Sequence, residues 1–268
     1  MKRVLLSITV ALACAAALSA QGLTILHTND THSHIDPVRG GAKDGLGGVI
    51  ERSVYIDSVR NAVGRKNLLL LDAGDFSQGT SYFPILQGNL EVELMNAIKY
   101  DVSTLGNHEF DNGLEELERR LKMAKFKVVC ANYDFSGCGV GRYVKPYTIV
   151  RRGGMKIGII GLLTDVMSVV DREIAQKMNY IEPVAVTNRY AEYLKDEKGC
   201  DIVICLTHIG YECDVELASR IRNVDIIVGG HSHTELTALQ RVKDLDGKEV
   251  VIVTDGCWGI HVGNLTLD

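Results

Sequence analysis

Proline, tryptophan and paired cysteines are scarce in this chain, and each shortage removes a class of answer. With four prolines in 268 residues and no Pro- or Ser-rich stretch, no linker marks a domain boundary. No C-x-x-C pair of zinc-site spacing occurs among the seven cysteines, which removes the common structural-zinc frameworks. Lys and Arg are scattered, no basic run is interleaved with aromatics, and the formal charge is −5. That balance gives no electrostatic reason to seek nucleic acid. Beyond the first twenty residues no apolar run is long enough to span a bilayer, so no transmembrane segment is expected in the mature chain.

The start of the chain is built differently. Lys2 and Arg3 precede an apolar run from Val4 to Leu18, followed by the small residues Ser19 and Ala20 and the polar Gln21. This order is that of a signal peptide over 1–20, which implies export to the periplasm or the exterior. Cys14 offers lipid anchoring as a minor alternative, although Ala11-Leu12-Ala13 is an imperfect lipoprotein signal. Six cysteines remain after cleavage. Cys205 lies in an apolar run and reads as a small core residue, while Cys130 and Cys138 flank a Gly-rich loop where a bridge is possible after export.

From residue 23 onward short apolar runs alternate with longer amphipathic stretches. Buried strands are expected at 23–27, 67–71, 127–130, 156–160, 201–206 and 225–228, each rich in Val, Ile and Leu and closed by Gly, Asp or Asn. Helical spacing of apolar residues covers 48–63, 91–99, 114–125 and 184–195. Such alternation predicts an α/β fold with largely parallel sheet and helices outside. Two late runs, 250–254 and 262–267, read as β with no helix between them.

Metal-capable residues follow the ends of these strands. Asp30, His32 and His34 come after the first, Asp75 after the second, and Asn107 and His108 after a run at 101–104. His208 follows 201–206, and His231 and His233 follow 225–228. Singly, each is weak: an Asp after a strand is often a helix cap, Gly-Asp is common in turns, and a lone histidine is more often structural. Jointly, chance would have to act five times in one structural context, because ligands of α/β sheets gather at the carboxyl ends of strands. Asp30, His32, Asp75, Asn107, His208, His231 and His233 are too many donors for one tetrahedral ion. If one carboxylate bridged, they would give each of two divalent ions four protein ligands. Their N/O chemistry suits Zn, Mn, Fe or Co, and paired ions suit phosphoester hydrolysis. Gly74, Gly106, Gly229 and Gly230 let the backbone turn tightly beside a crowded site.

The blocks at 25–32, 74–80, 106–111, 206–210 and 229–234, in this order, resemble the signatures of the calcineurin-like metallophosphatases, in their 5'-nucleotidase branch. The likeness covers nearly all of 23–268. It implies two facing β-sheets flanked by helices, a catalytic domain over 21–268, and a small phosphoester substrate, most simply a nucleotide. Residue by residue it implies Asp30, His32 and His233 on one ion, Asn107, His208 and His231 on the other, and Asp75 bridging. It makes His108 the catalytic histidine and Asp111 the carboxylate that orients it, with a metal-activated water attacking phosphorus. His34 is expected beside the first site without a ligand role, and His27 and His261 are left structural.

Two-domain members of that branch carry a C-terminal domain whose aromatic pair stacks the base, and no such domain is expected within these residues. Three alternatives therefore stay open within hydrolysis: a split enzyme whose partner protein supplies a separate nucleotide-binding domain, a 2',3'-cyclic phosphodiesterase, and a nucleotide-sugar pyrophosphatase. A non-catalytic metal-binding module is the alternative outside it. Retention of His108 and Asp111 argues against that last one, because metal binding needs neither.

Overall fold

The computed structural model describes residues 22–168 and 170–267; the signal peptide expected over 1–20, with Cys14, lies outside the described residues. In chain order the strands are β1 (Leu23–Thr28), β2 (Leu68–Asp72), β3 (Val102–Thr104), β4 (Lys127–Val129), β5 (Tyr133–Asp134), β6 (Val144–Lys145) and β7 (Tyr147–Arg152). They continue with β8 (Met155–Leu163), β9 (Asn179–Tyr180), β10 (Ile202–His208), β11 (Ile226–Val228), β12 (Gln240–Lys243), β13 (Glu249–Val253) and β14 (Gly263–Leu267). The helices are α1 (Val49–Val63), α2 (Tyr82–Leu86), α3 (Asn89–Ile98), α4 (Gly113–Met123), α5 (Arg172–Ala175), α6 (Pro183–Glu192) and α7 (Tyr211–Arg220).

Two six-stranded sheets result, in the orders β14-β1-β2-β3-β4-β6 and β12-β13-β11-β10-β8-β7, with β5 and β9 forming a separate ribbon. The inner strands of both sheets are parallel, and β14, β12 and β7 run antiparallel at the edges. The strand sequences explain why the sheets face each other. Successive side chains of a strand point to opposite faces, and here both faces are apolar. Leu23 and Ile25 of β1, Leu69 and Leu71 of β2, and Ile204 and Leu206 of β10 fill the layer between the sheets. Leu26, Leu68 and Leu70 turn outward onto the helical side of the first sheet, where Val92, Met95, Leu117 and Leu121 of α3 and α4 meet them. Val203 and Cys205 turn outward from the second sheet to meet Val186, Ala191, Leu217 and Ala218 of α6 and α7. The architecture is the expected one of two facing sheets flanked by helices.

Several details differ from the pattern in the sequence. Helix α6 starts on Pro183 with Glu182 capping the amide of Ala185, but its last expected turn is a π-helical turn over Tyr193–Glu197. Helix α7 is not evident in the sequence because its polar residues dilute the apolar spacing and only Asp214, Leu217 and Ala218 are buried. Strand β12 is a polar edge with no continuous apolar face. Cys130 and Cys138 are free thiols, so the bridge that their loop permits is not formed.

The two sheets touch directly at Gly161 of β8. Its carbonyl accepts the Ala131 amide that continues β4, at 2.7 Å, and a Cβ there would fall 2.1 Å from the Val129 oxygen. Gly161→Ala is therefore expected to cost about 2 kcal/mol or more by overpacking, lowering the thermal midpoint by roughly 4–8 °C for a chain of this size. Thermal unfolding followed by circular dichroism reads this directly, and an unchanged midpoint would show that the sheets can part without cost.

Candidate metal centre

Parallel strands deliver their carboxyl ends to one rim of the two sheets, and seven donors meet there. Asp30 follows β1, Asp75 follows β2, Asn107 follows β3, His208 closes β10, and His231 and His233 follow β11. Asp30, His32 and His233 each offer a ligand atom within 4.8 Å of the others, and Asp75, His208 and His231 do the same. Asp75 stands between the groups: its Oδ2 is 3.0 Å from Nε2 of His208 and 3.9 Å from Nε2 of His32. Asn107 lines the same cavity of about 470 Å3 as Asp75, His108 and the histidine pair His231 and His233.

The donor set fits divalent cations. Nε2 of His32 and Nε2 of His233 lie 2.9 Å apart, so one ring donates to the other unless a cation takes the place of the proton between them. The side-chain oxygen of Asn107 is buried without a hydrogen-bond partner, a costly state unless a ligand meets it. Nδ1–H of His208 donates to the Ala73 carbonyl at 2.7 Å. That bond fixes the tautomer and leaves Nε2 aimed inward, the usual support of a ligating histidine. Without a cation, burial opposes charge on His208, but Asp75 and Asp30 raise its ring to about 10. Burial likewise opposes charge on Asp75, yet His208 beside it holds the carboxyl well below the usual range.

The backbone is bent to make this cluster. Asp30, His32, Asp75, His231 and His233 all have positive φ, between 45° and 80°. For residues with a Cβ this left-handed region costs roughly 1–2 kcal/mol each, and such outliers gather at functional sites. Close hydrogen bonding holds them there. Asp30 accepts from the His231 amide at 2.9 Å and from Asn29 Nδ2 at 2.7 Å. Asp75 Oδ1 accepts from the His108 amide at 2.9 Å. Gly106 answers to crowding rather than to turning, because a Cβ there would lie 2.1 Å from Asp75 Oδ1.

His108 lies at the edge of the cavity, about a third exposed, with Nδ1 2.8 Å from Asp111 Oδ2. The hydrogen bond to Asp111 raises its pKa above the ordinary imidazole value. His34 lines the same cavity, and its Nδ1 donates to the His32 carbonyl at 2.9 Å. His27 is buried against Asp255 at 2.7 Å, and His261 sits at the surface 3.4 Å from Glu235; neither reaches the cavity.

Two contributions escaped the sequence, the buried Glu109–Arg120 pair and Trp258. Glu109 is fully buried, and its carboxylate accepts from the amides of Asp75 (2.9 Å), Ser77 (3.1 Å) and Gly106 (2.6 Å). It thereby fastens the loop after β2 to the loop after β3. Burial, with Asp75 nearby, pushes its carboxyl up to about 7. Arg120, also fully buried, donates to the Glu109 carbonyl at 2.5 Å and to Ser77 Oγ at 2.7 Å. The second contributor is Trp258, which lines the cavity from the loop after β13. A glutamate within the Asn-His-Glu block, and a lone tryptophan beside a glycine, were the signals available.

Several known proteins are similar to this chain in sequence and in fold. The model of the calcineurin-like phosphoesterase family matches residues 23–235. A snake venom 5'-nucleotidase from Naja atra is 35% identical over 271 residues, covering 92% of this chain and 50% of that protein. Among solved structures, the 5'-nucleotidase precursor from Thermus thermophilus superposes with a TM-score of 0.85 at 37% identity, over 92% of this chain and 51% of that one. The NAD nucleotidase of Haemophilus influenzae superposes with a TM-score of 0.82 at 30% identity, over 91% and 46% respectively. The chain thus spans about half the length of the curated relatives it matches.

Replacing Glu109 by Gln puts an amide NH2 among three backbone donors. Glu109→Gln is expected to lose about 1–3 kcal/mol of stability, and to retain less metal after gel filtration. Denaturant unfolding of the metal-free protein and metal content per chain test the two effects. Equal stability and equal metal content would show that the loops hold their positions without this carboxylate.

Proposed function

The chain belongs to the calcineurin-like phosphoesterase family, and on that footing we propose that it is an exported, two-metal phosphohydrolase releasing phosphate from nucleoside 5'-monophosphates or similar small phosphoesters. The observation that carries this proposal is a pair of three-residue metal-capable clusters joined where Asp75 of one comes 3.9 Å from His32 of the other, beside a cavity lined by His32, Asp75, Asn107, His231, His233 and His108, the last bonded to Asp111. Asp30, His32 and His233 would hold one cation, Asn107, His208 and His231 the other, and Asp75 would touch both. Zn, Mn, Fe and Co all accept such N/O donors. When bound, the two cations supply positive charge for the phosphoryl oxygens and ease deprotonation of the attacking water.

The chain's own residues account for the remaining chemistry. Asp111 accepts the Nδ1 proton of His108, which fixes the ring and favours its charged form. The free Nε2–H of that ring then hydrogen-bonds a phosphoryl oxygen and gives its proton to the leaving oxygen as the P–O bond breaks. Glu109 and Arg120 keep the loops of Asp75 and His108 at a fixed spacing, so positioning is set before the substrate arrives. No described helix is long and apolar enough to cross a membrane.

Phosphate release from AMP by the mature chain, loaded with Mn2+ or Zn2+, tests this proposal. His108→Ala is expected to lower kcat by roughly 10²–10⁴-fold, the usual contribution of a positioned acid. Asp75→Asn is expected to lose both activity and metal. Absence of turnover of AMP and of an aryl phosphate by the metal-loaded parent would overturn the proposed function.

A further inference from the structure

Cations that lie scattered along the sequence are gathered by the fold at the rim opposite the metal centre. Arg65 precedes β2, Lys99 precedes β3, Lys125 and Lys127 lie at the start of β4, and Arg151 and Arg152 end the antiparallel β7. All six line one open cleft of about 680 Å3. Asp75 and Asn107 follow the other ends of β2 and β3. The cleft and the metal centre are therefore about one strand length apart, roughly 16 Å for the five residues of β2.

Charge in the cleft is not balanced. Asp101 is the one carboxylate that lines it, and it is already taken, accepting from Arg152 at 2.5 Å and from the Leu70 amide at 3.0 Å. Arg152 also donates to the Leu68 carbonyl at 2.9 Å, and Lys127 to the Ile149 carbonyl at 3.3 Å. Arg65, Lys99, Lys125 and Arg151 are exposed, and among the described residues none of the four pairs with a carboxylate. Elsewhere on the surface Arg142, Lys195, Arg222 and Arg241 each meet one. Four like charges around one hollow repel one another, and a bound anion converts that repulsion into attraction.

The walls of the cleft are fixed. Asn96 of α3 accepts from the Lys125 amide at 2.6 Å and donates to the Met123 carbonyl at 3.0 Å, which ties the approach to β4 onto that helix. Lys99 has φ +67° just past the end of α3, where glycine is the usual residue. A cation is thus kept at a backbone position that disfavours any side chain. The aromatic residue lining the cleft, Tyr100, is buried, so no ring is offered to a nucleobase.

We propose that this cleft binds clustered phosphate groups, those of a free oligophosphate or of anionic phospholipid headgroups, and holds the protein with its metal centre at the far rim. A single phosphate in so wide a cleft reaches few of the cations, whereas linked or neighbouring phosphates engage several at once. The preferred ligand is therefore polyvalent, and its binding weakens steeply with salt because the cations are exposed.

The test reads retention of the mature, metal-loaded chain on phosphocellulose at low salt. The parent should be retained despite its net charge of −5, and tripolyphosphate should release it at a far lower ionic strength than sodium chloride. Lys99→Gln/Lys125→Gln/Arg151→Gln should pass through, with circular dichroism and metal content unchanged. Arg172→Gln/Lys177→Gln/Lys248→Gln removes the same charge from exposed positions outside the cleft and should still be retained. Co-sedimentation with phosphatidylcholine vesicles, with and without phosphatidylglycerol, separates the two sources. Binding to the anionic vesicles that the first variant weakens about tenfold or more assigns the cleft to headgroups; release by tripolyphosphate without vesicle binding assigns it to a free oligophosphate. A parent that flows through, or equal losses in both variants, as diffuse charge alone would give, overturns the proposal. Full retention of the first variant places the binding at the metal centre and overturns it too. If that variant does not fold, Arg151→Gln alone should elute at lower salt, and unchanged elution overturns the proposal.

Discussion

Asp75 is a carboxylate with almost no exposed surface, set between two groups of histidines, and burying that charge governs the rim of both sheets. A buried ion must be compensated by donors, by an opposite charge or by protonation. Asp75 receives the His108 amide on one oxygen and faces His208 with the other. Nearby, Asp30 and Glu109 are buried as completely, so negative charge accumulates where, among the described residues, Arg120 is the one arginine or lysine with no exposed surface. Arg120 is committed to Glu109 and Ser77 on the far side of the loop. On the cavity side the charge is met, without cations, by the His208 ring that Asp75 and Asp30 raise, a place that two divalent cations would take over as the natural complement of these carboxylates.

The same constraint explains the backbone. A parallel strand ends pointing away from its neighbours, and a side chain just past it must be turned back to reach a common centre. Left-handed conformations at five of the seven candidate ligands accomplish that turn within one or two residues. Strain of this kind persists only where surrounding contacts over-determine it. Here the contacts are hydrogen bonds between loops: Asp30 to the His231 amide, Glu109 to the loop of Asp75, and Trp258 to the Asp30 carbonyl. The β1, β2 and β3 ends are joined as well, because Asp72 accepts from Thr28, Gly74 and Ser103. Rigidity at the rim is therefore a property of several loops together.

Much of this is legible in the residues. Strands with both faces apolar announce themselves as unbroken Leu, Ile and Val runs, and β1, β2, β10 and β11 lie within a residue or two of where those runs put them. The histidines and carboxylates past those strands mark the rim without any coordinates, since strand ends and ligands coincide in sheets of this kind. Edge strands such as β12 and mixed helices such as α7 are not legible, because their burial pattern depends on neighbours and not on their own periodicity. Glu109 looks like a polar loop residue; its role as an acceptor for three amides exists only once two loops, some thirty residues apart, are brought together.

What the sequence determined alone is the inventory: which chemistry-bearing residues follow which strands, and hence the family likeness and the seven candidate donors. Local composition suffices for that, since each strand and its trailing loop are contiguous. The grouping of those donors was decided by tertiary structure. So were the position of Asp75 beside both groups, the φ values at the candidate ligands, and the stacking of Trp258 on His34. Each depends on distances between segments far apart in the chain, which the packing of two sheets sets and no single segment encodes.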